Sequence, residues 1–203
     1  RVKAARSAIE FAVKNKIKFL TLFAFSTENW GRSKNEVKAL MELFVKAMQE
    51  ETPQLIENFV RVNFIGDINR LEKAIINKII KTKGLTNDYE PKMNLNIAIS
   101  YGGRWDIVQA IKEISKDLSK KKIKEKNINE DLLSSYLDTS NFPDPDLVIR
   151  TGNEKRLSNF LIWQAAYSEL IFLKKLWPDF KNTDFKRALD EYKRRKRNFG
   201  LRS

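Results

Sequence analysis

The chain has 203 residues, 42% hydrophobic and 32% charged, with a formal net charge of +13, which suits one globular domain with a sizeable core. With 7 Gly and 5 Pro it does not read as disordered or linker-rich. It holds neither Cys nor His, which excludes disulfides, thiolate sites, Ser-His-Asp triads and most zinc centres, and leaves carboxylates, Arg and Lys, hydroxyls, amides and a metal such as magnesium.

In chain order, residues 3–14 place Ala5, Ile9, Ala12 and Val13 on one helical face. The chain opens inside this helix with no N-cap before it, which predicts a start lying further upstream. The run Ile17 to Phe25 is almost wholly apolar and predicts a strand covered on both faces, as in a parallel sheet. Ser26 to Lys34 is polar. Ser33 and Glu36 have capping-box spacing, so a helix is expected from there to about Thr52, where Pro53 stops it. Its apolar positions Val37, Leu40, Met41, Leu43, Phe44, Ala47 and Met48 make a stripe wider than a surface helix needs.

Val60 to Ile65 alternates as a strand, Gly66-Asp67 ends it, and a helix follows over 69–82. Met93 to Ile99 is the next strand, followed by Tyr101-Gly102-Gly103 and a helix over 104–118 that places Trp105, Val108, Ile111 and Ile114 on one side. Lys120, Lys121, Lys122, Lys124 and Lys126 read as a solvated helix end and loop. A short helix is expected over 129–137, a strand over Asp146 to Arg150, a loop to Arg156, a helix over 159–166, a strand over Glu169 to Leu173 and a basic helix over 183–197. No run reaches the roughly 18 apolar residues of a membrane span, and no secretory signal is visible.

Strands alternating with helices predict a single α/β domain with a mostly parallel central sheet flanked by helices. In such sheets ligands bind beyond the carboxyl ends of the strands, so the informative residues follow each strand. After the first comes Ser26-Thr27-Glu28-Asn29-Trp30-Gly31-Arg32, and after the third Ser100 to Asp106. After Ile149 comes Arg150 to Asn159, in which two arginines flank a glycine-containing loop and a Ser-Asn pair leads into the expected helix. Arginine grips phosphate through paired hydrogen bonds, and a helix N-terminus adds backbone donors. On these grounds the loop is either a diphosphate grip or a surface turn with two solvated arginines. Asn29 reads equally as a turn residue, Trp30 as cover for the core edge, and Glu169 as a rim carboxylate. Phe160 and Trp163 read as core.

Several strings, in order along nearly the whole chain, resemble the undecaprenyl diphosphate synthase family of cis-prenyltransferases. They are Leu-Thr-Leu-Phe-Ala-Phe-Ser-Thr-Glu-Asn-Trp (20–30), Tyr-Gly-Gly-Arg-Trp-Asp (101–106), Asp-Leu-Val-Ile-Arg-Thr-Gly (146–152), Arg-Leu-Ser-Asn-Phe-Leu-Ile-Trp-Gln (156–164), Tyr-Ser-Glu-Leu (167–170) and Leu-Trp-Pro-Asp-Phe (176–180). The resemblance implies repeated cis condensation of isopentenyl diphosphate onto an allylic diphosphate such as farnesyl diphosphate, giving a long-chain polyprenyl diphosphate of the kind used as carrier-lipid precursor in cell-wall synthesis. It implies a diphosphate grip at Arg150, Arg156, Leu157 and Ser158, and Glu169 as the magnesium carboxylate. Asn29 is implied as the residue assigned to proton removal, in a substrate loop with Ser26, Thr27, Glu28, Trp30 and Arg32. Arg197 resembles an arginine that reaches the neighbouring subunit's site in homodimeric members. Leu40, Leu43, Phe44, Val60 and Met93 match positions lining an apolar product tunnel.

The family's first strand carries an Asp-Gly-Asn-Gly-Arg-Trp string whose Asp helps place magnesium, followed by a Gly-His phosphate contact. Neither occurs here, and that strand with its loop is expected to lie outside this chain. A cytoplasmic homodimer, with peripheral membrane contact at product release, completes what the resemblance implies. A catalytically silent partner subunit of the same fold is the alternative. The positive charge also suggests nucleic acid, but no zinc-finger or base-stacking signature accompanies it, so none is expected as partner.

Overall fold

The computed structural model describes residues 2–195. Five strands are all paired in parallel, and helices cover them. The first helix, α1 (Val2–Lys14), buries Ala4, Ala8, Phe11 and Ala12, a 3–4 spacing that makes one apolar face. Strand β1 (Phe19–Ser26) follows, then a 3-10 turn (Thr27–Gly31) and the long helix α2 (Lys34–Glu57). Ser33 caps α2 by accepting from Glu36 N at 3.3 Å, as the spacing predicts.

The helix does not stop at Pro53 but runs through it. Proline inside a helix removes one backbone bond and costs about 3 kcal/mol. Two things offset this here: Met48, Thr52 and Leu55 are buried on both sides of the proline, and the Thr52 hydroxyl donates to Met48 O. Tertiary burial outweighs the local propensity.

Strand β2 (Val60–Ile65), helix α3 (Lys73–Leu85), strand β3 (Met93–Tyr101) and helix α4 (Gly103–Ser119) come next. The face that α4 buries is Asp106, Ala110 and Ile114. Val108 and Ile111, expected to share the buried side, are 47% and 53% exposed. The inward stripe is set by a carboxylate with buried partners, which a purely apolar pattern does not register. Helix α5 (Glu130–Tyr136) is capped by Asn129, and strands β4 (Leu147–Arg150) and β5 (Glu169–Phe172) precede helix α6 (Asn182–Arg194).

The strands form two hydrogen-bonded units. One has the order β1-β3-β2 and the other pairs β4 with β5. β1 is therefore an edge strand with mostly half-buried side chains, not the doubly covered strand its composition suggests. Side chains join the two units: Ile17 and Leu20 pack with Ile149 beside Ala4, Ala8, Phe11, Phe180 and Phe185, and Phe23 stacks on Phe160 at 4.4 Å. Central β3 is the most buried strand. No helix among the described residues is long and apolar enough to cross a membrane.

Candidate active site

Three loops meet beyond the strand ends. Ser26 at the end of β1 is level with Tyr101 at the end of β3, so the polar loop after β1 lies beside the Gly102-Gly103 turn that opens α4. Close approach explains both glycines. A Cβ at Gly102 would stand 2.4 Å from Thr27 Oγ1 and 2.7 Å from Asn159 Nδ2, and one at Gly103 would stand 2.6 Å from Ile162 Cγ1. Any side chain there would push the three loops apart.

In the loop after β1, Asn29 accepts from Ser26 N through Oδ1 at 3.0 Å, which leaves its Nδ2 donors without a protein partner among the described residues. Trp30 donates from Nε1 to Ser100 Oγ at 2.9 Å, packs edge-on against Phe25 at 5.1 Å and carries the Arg70 guanidinium 4.8 Å from its ring. It braces the loop on the core edge. Arg32 pairs with Glu36 at 2.6 Å, on the exposed outer side. Glu28 accepts from Asn159 Nδ2 at 2.7 Å. Burial pushes the Glu28 carboxyl up, but hydrogen bonds from Asn159, its own backbone, Ser26 and Thr27 more than offset this and hold it below the usual carboxylate range.

The segment 159–166 is not a helix. It is a series of turns in which Ser158, Asn159 and Leu161 have φ of 50°, 62° and 45°. Such left-handed residues interrupt helical bonding, so the expected helix N-terminus behind Ser158 is not formed. Asn159 instead caps another element: its Oδ1 accepts from Arg104 N at 2.9 Å and its carbonyl from Gly103 N at 2.7 Å, satisfying N-terminal donors of α4. Asn153 also adopts a left-handed φ of 60°, as Asn tolerates. Its N–H bonds Leu173 O and that of Gly152 bonds Lys175 O, closing the Arg150 loop over the end of β5.

Arg150 stands at the carboxyl end of β4, and its Nε is buried with no hydrogen-bond partner among the described residues. A guanidinium donor left open in this way is free to bind an anion. Arg156 is 64% exposed and pairs with Glu154 at 2.5 Å. Leu157 is half-buried and Ser158 exposed.

Glu169 lies elsewhere. It is level with Leu147 at the start of the β4–β5 pair, while Arg150 is level with Phe172, an offset of about 10 Å along the strands. Alternation also places the two on opposite faces of the pair. Glu169 accepts from Arg195 Nη1 at 2.8 Å, on the edge that α6 leads to. Among the described residues no three of His, Cys, Asp or Glu gather closely enough to hold a metal ion. Arg197 lies outside the described residues.

The residues matched to a tunnel divide between packed clusters. Leu40 and Phe44 sit between α2 and α3 with Phe25, Met41, Met48, Ile75 and Ile99. Val60 and Met93 are fully buried against α1 and the sheet. Leu43 is 38% exposed.

Sequence reading missed a buried polar network under these loops. Asp106 accepts from Tyr101 Oη at 2.9 Å, from Gln164 Nε2 at 3.1 Å and from Asp138 N at 2.9 Å. Gly66 N donates to Asp138 at 2.7 Å. The network ties the ends of β2 and β3 to α5 and to the turn segment. No sequence spacing signals it, because its members are 5 to 72 residues apart. A groove of about 520 Å³ between α4 and α5, lined by Ile111, Leu118, Ile128, Leu133 and Trp163 among others, holds no basic side chain and does not suit a diphosphate.

Residues 1–200 match the family model described as "Putative undecaprenyl diphosphate synthase". The chain is 46% identical over 198 residues to the ditrans,polycis-undecaprenyl-diphosphate synthase ((2E,6E)-farnesyl-diphosphate specific) of Blochmanniella floridana, covering 98% of this chain and 79% of that protein. Among solved structures it resembles lavandulyl diphosphate synthase from Lavandula x intermedia, in complex with dimethylallyl diphosphate, with a TM-score of 0.94 at 35% identity over 98% of this chain and 86% of that one. It also resembles a "probable undecaprenyl diphosphate synthase" from Campylobacter jejuni, with a TM-score of 0.86 at 39% identity over 98% and 91% of the two chains. The strand-end loops, the open guanidinium at Arg150 and these matches agree, and the chain belongs to the undecaprenyl diphosphate synthase family of cis-prenyltransferases.

Proposed function

We propose that the chain elongates an allylic diphosphate, farnesyl diphosphate in the first instance, by cis addition of isopentenyl diphosphate units. The observation that carries this is the buried, unpartnered Nε of Arg150 at the carboxyl end of β4, beside a loop whose backbone folds back onto β5. The isopentenyl diphosphate rests on Arg150, with Arg156, Leu157 and Ser158 closing from the exposed side. Arg156 is held only by Glu154 at the surface, so it exchanges one anion for another at small cost.

In the transfer, the allylic C–O bond breaks and diphosphate leaves. The double bond of isopentenyl diphosphate attacks the allylic carbon, and a proton leaves from the neighbouring carbon to give the new cis double bond. Charge builds on the departing diphosphate, and fixed cationic donors aimed at it supply the largest stabilisation. An amide does not take up a proton at neutral pH, so the Nδ2 donors of Asn29 orient a diphosphate oxygen, and that oxygen receives the proton.

No metal-holding cluster forms among the described residues, so magnesium is proposed to arrive on a diphosphate, since Mg²⁺ commonly takes one or two carboxylates together with substrate phosphates. Glu169 is the carboxylate proposed for it, and it would exchange Arg195 for the ion. Bound there, magnesium would offset negative charge on the diphosphate. The growing hydrocarbon is proposed to enter between α2 and α3, where Leu40 and Phe44 border an apolar cluster directly under Trp30. Each buried CH₂ contributes about 0.8 kcal/mol. The first-strand Asp of the family has no counterpart in residues 1–203; it belongs to the proposal as part of the longer relatives' sequence. A homodimer, a cytoplasmic setting and peripheral membrane contact belong to the same proposal.

The test is incubation with farnesyl diphosphate, isopentenyl diphosphate and Mg²⁺, followed by chain-length separation of the products. A ladder of prenyl diphosphates is expected. Saturable binding of isopentenyl diphosphate without any elongation, in a chain extended to the relatives' full length, would favour the catalytically silent partner instead.

A further inference from the structure

Two loops carry the proposed substrate contacts, and Asn159, at the end of one of them, reaches both the other and the N-terminus of α4. Asn159 donates from Nδ2 to Glu28 Oε1 at 2.7 Å, accepts at Oδ1 from Arg104 N at 2.9 Å, and offers its carbonyl to Gly103 N at 2.7 Å. Proposed contacts adjoin it in sequence, since Ser158 precedes it and Asn29 follows Glu28, and the Gly102-Gly103 turn beside it is packed too tightly for any Cβ. The left-handed φ of 62° at Asn159 directs its amide back toward the β1 and β3 ends. Most residues avoid that conformation, and Asn is among the few that adopt it readily.

The amide suits the place chemically. One end must accept from a helix N-terminal N–H and the other must donate to a carboxylate. Asp would supply only acceptors, and Ser or Thr cannot span both. Each of the three contacts crosses between segments far apart in the chain, 131 residues in the case of Glu28.

We infer that Asn159 is a positioning residue, a clasp that fixes the Asn29 loop and the N-terminus of α4 against the Ser158 loop so that the two diphosphates meet in register. It does not itself touch substrate. Losing register by about 1 Å is enough to cost on the order of a hundredfold in rate. The inference rests on the prenyl-transfer reading above.

The test reverses the polarity of the clasp. Asn159→Asp removes the donor and sets two carboxylates against each other, while the acceptor for Arg104 N is kept. Glu28→Gln paired with Asn159→Asp restores one donor and one acceptor, now from position 28 to position 159. Calorimetric binding of isopentenyl diphosphate, steady-state kinetics and melting temperature are measured for the parent, both single variants and the double. Asn159→Asp is expected to weaken isopentenyl diphosphate binding about tenfold and to lower kcat by at least as much, the size of losing a hydrogen bond to a charged group. The double variant is expected to recover both to within about threefold of the parent, which a general loss of stability would not do. A double variant that melts like the parent but binds and turns over no better than Asn159→Asp would overturn the clasp, as would an Asn159→Asp variant indistinguishable from the parent. A parent that fails to bind isopentenyl diphosphate at all overturns the prenyl-transfer reading instead.

Discussion

Arg195 donates from Nη1 to Glu169 Oε2 at 2.8 Å and to Leu170 O at 3.1 Å, joining the residue just after α6 to the first two residues of β5. Arg195 also pairs with Glu191. The carboxylate proposed for magnesium is therefore already opposed by a guanidinium, and the two cations compete for it. Arg195→Ala is expected to lower the Mg²⁺ concentration at half-maximal activity. Because Arg195 is one-third exposed, its melting temperature should move by no more than the effect of about 1 kcal/mol. Glu169→Ala should reduce turnover by about a hundredfold, in the range for removing one group that stabilises developing charge, with the fold retained. A magnesium titration and a thermal melt check both. An unchanged magnesium dependence in Glu169→Ala would remove Glu169 from the site.

Arg150→Ala removes a buried donor that has no protein partner among the described residues. Its loss should raise the KM for isopentenyl diphosphate at least tenfold, as expected for a charged hydrogen bond worth about 1.5–3 kcal/mol, while the melting temperature holds or rises. Parental kinetics in this variant would place the diphosphate elsewhere.

Asp106 is 2% exposed and serves three donors, Tyr101 Oη, Gln164 Nε2 and Asp138 N. Burial and the facing Asp106 carboxylate push the Tyr101 hydroxyl far up, so it stays a donor at every working pH. Asp106→Ala strands these donors in the interior. A loss of about 3 kcal/mol follows, and the melting temperature of a chain this size falls by about 6–12 °C. Asp106→Asn, which keeps one of the two acceptor oxygens, should lose less. Thermal melts separate the two.

Asp138 gives a pH signature. Although the residue is exposed overall, its carboxyl turns toward Gly66. Burial of the carboxyl raises it above the ordinary value, an effect opposed by the Gly66 N–H and reinforced by Asp106 and Asp67. A carboxyl raised in the folded state costs stability once it ionises. The cost is absent below the unfolded value near about 3.9 and grows as pH rises through the folded value. Asp138→Asn keeps an acceptor for Gly66 N and should melt higher than the parent at pH 7–8, with the gain vanishing by about pH 4. A constant difference across that range would mean the charge is not the cause.

Much of the fold is legible in the sequence because local rules decide it. Ser33 and Glu36 start α2 where a cap and its partner stand three residues apart, and the alternation of Val60, Val62 and Phe64 with Arg61 and Asn63 signals the strand β2. Asn153 takes the left-handed turn its short amide allows. The strings around Asn29, Arg150 and Ser158 put the candidate site at the strand ends, since parallel strands deliver their following loops to one end of the sheet.

What the sequence by itself determined is most of the helices and all five strands, the α/β class and the family, which rest on local periodicity, caps or strings read in order. What only the tertiary structure decided rests on contacts across the chain. Buried flanks carry α2 through Pro53, and left-handed residues turn 159–166 away from helix so that Asn159 caps α4 instead. The register of β4 on β5 separates Glu169 from Arg150. Each of these outcomes is settled by partners tens of residues distant, whose packing and hydrogen bonds are worth more than the local preference they override.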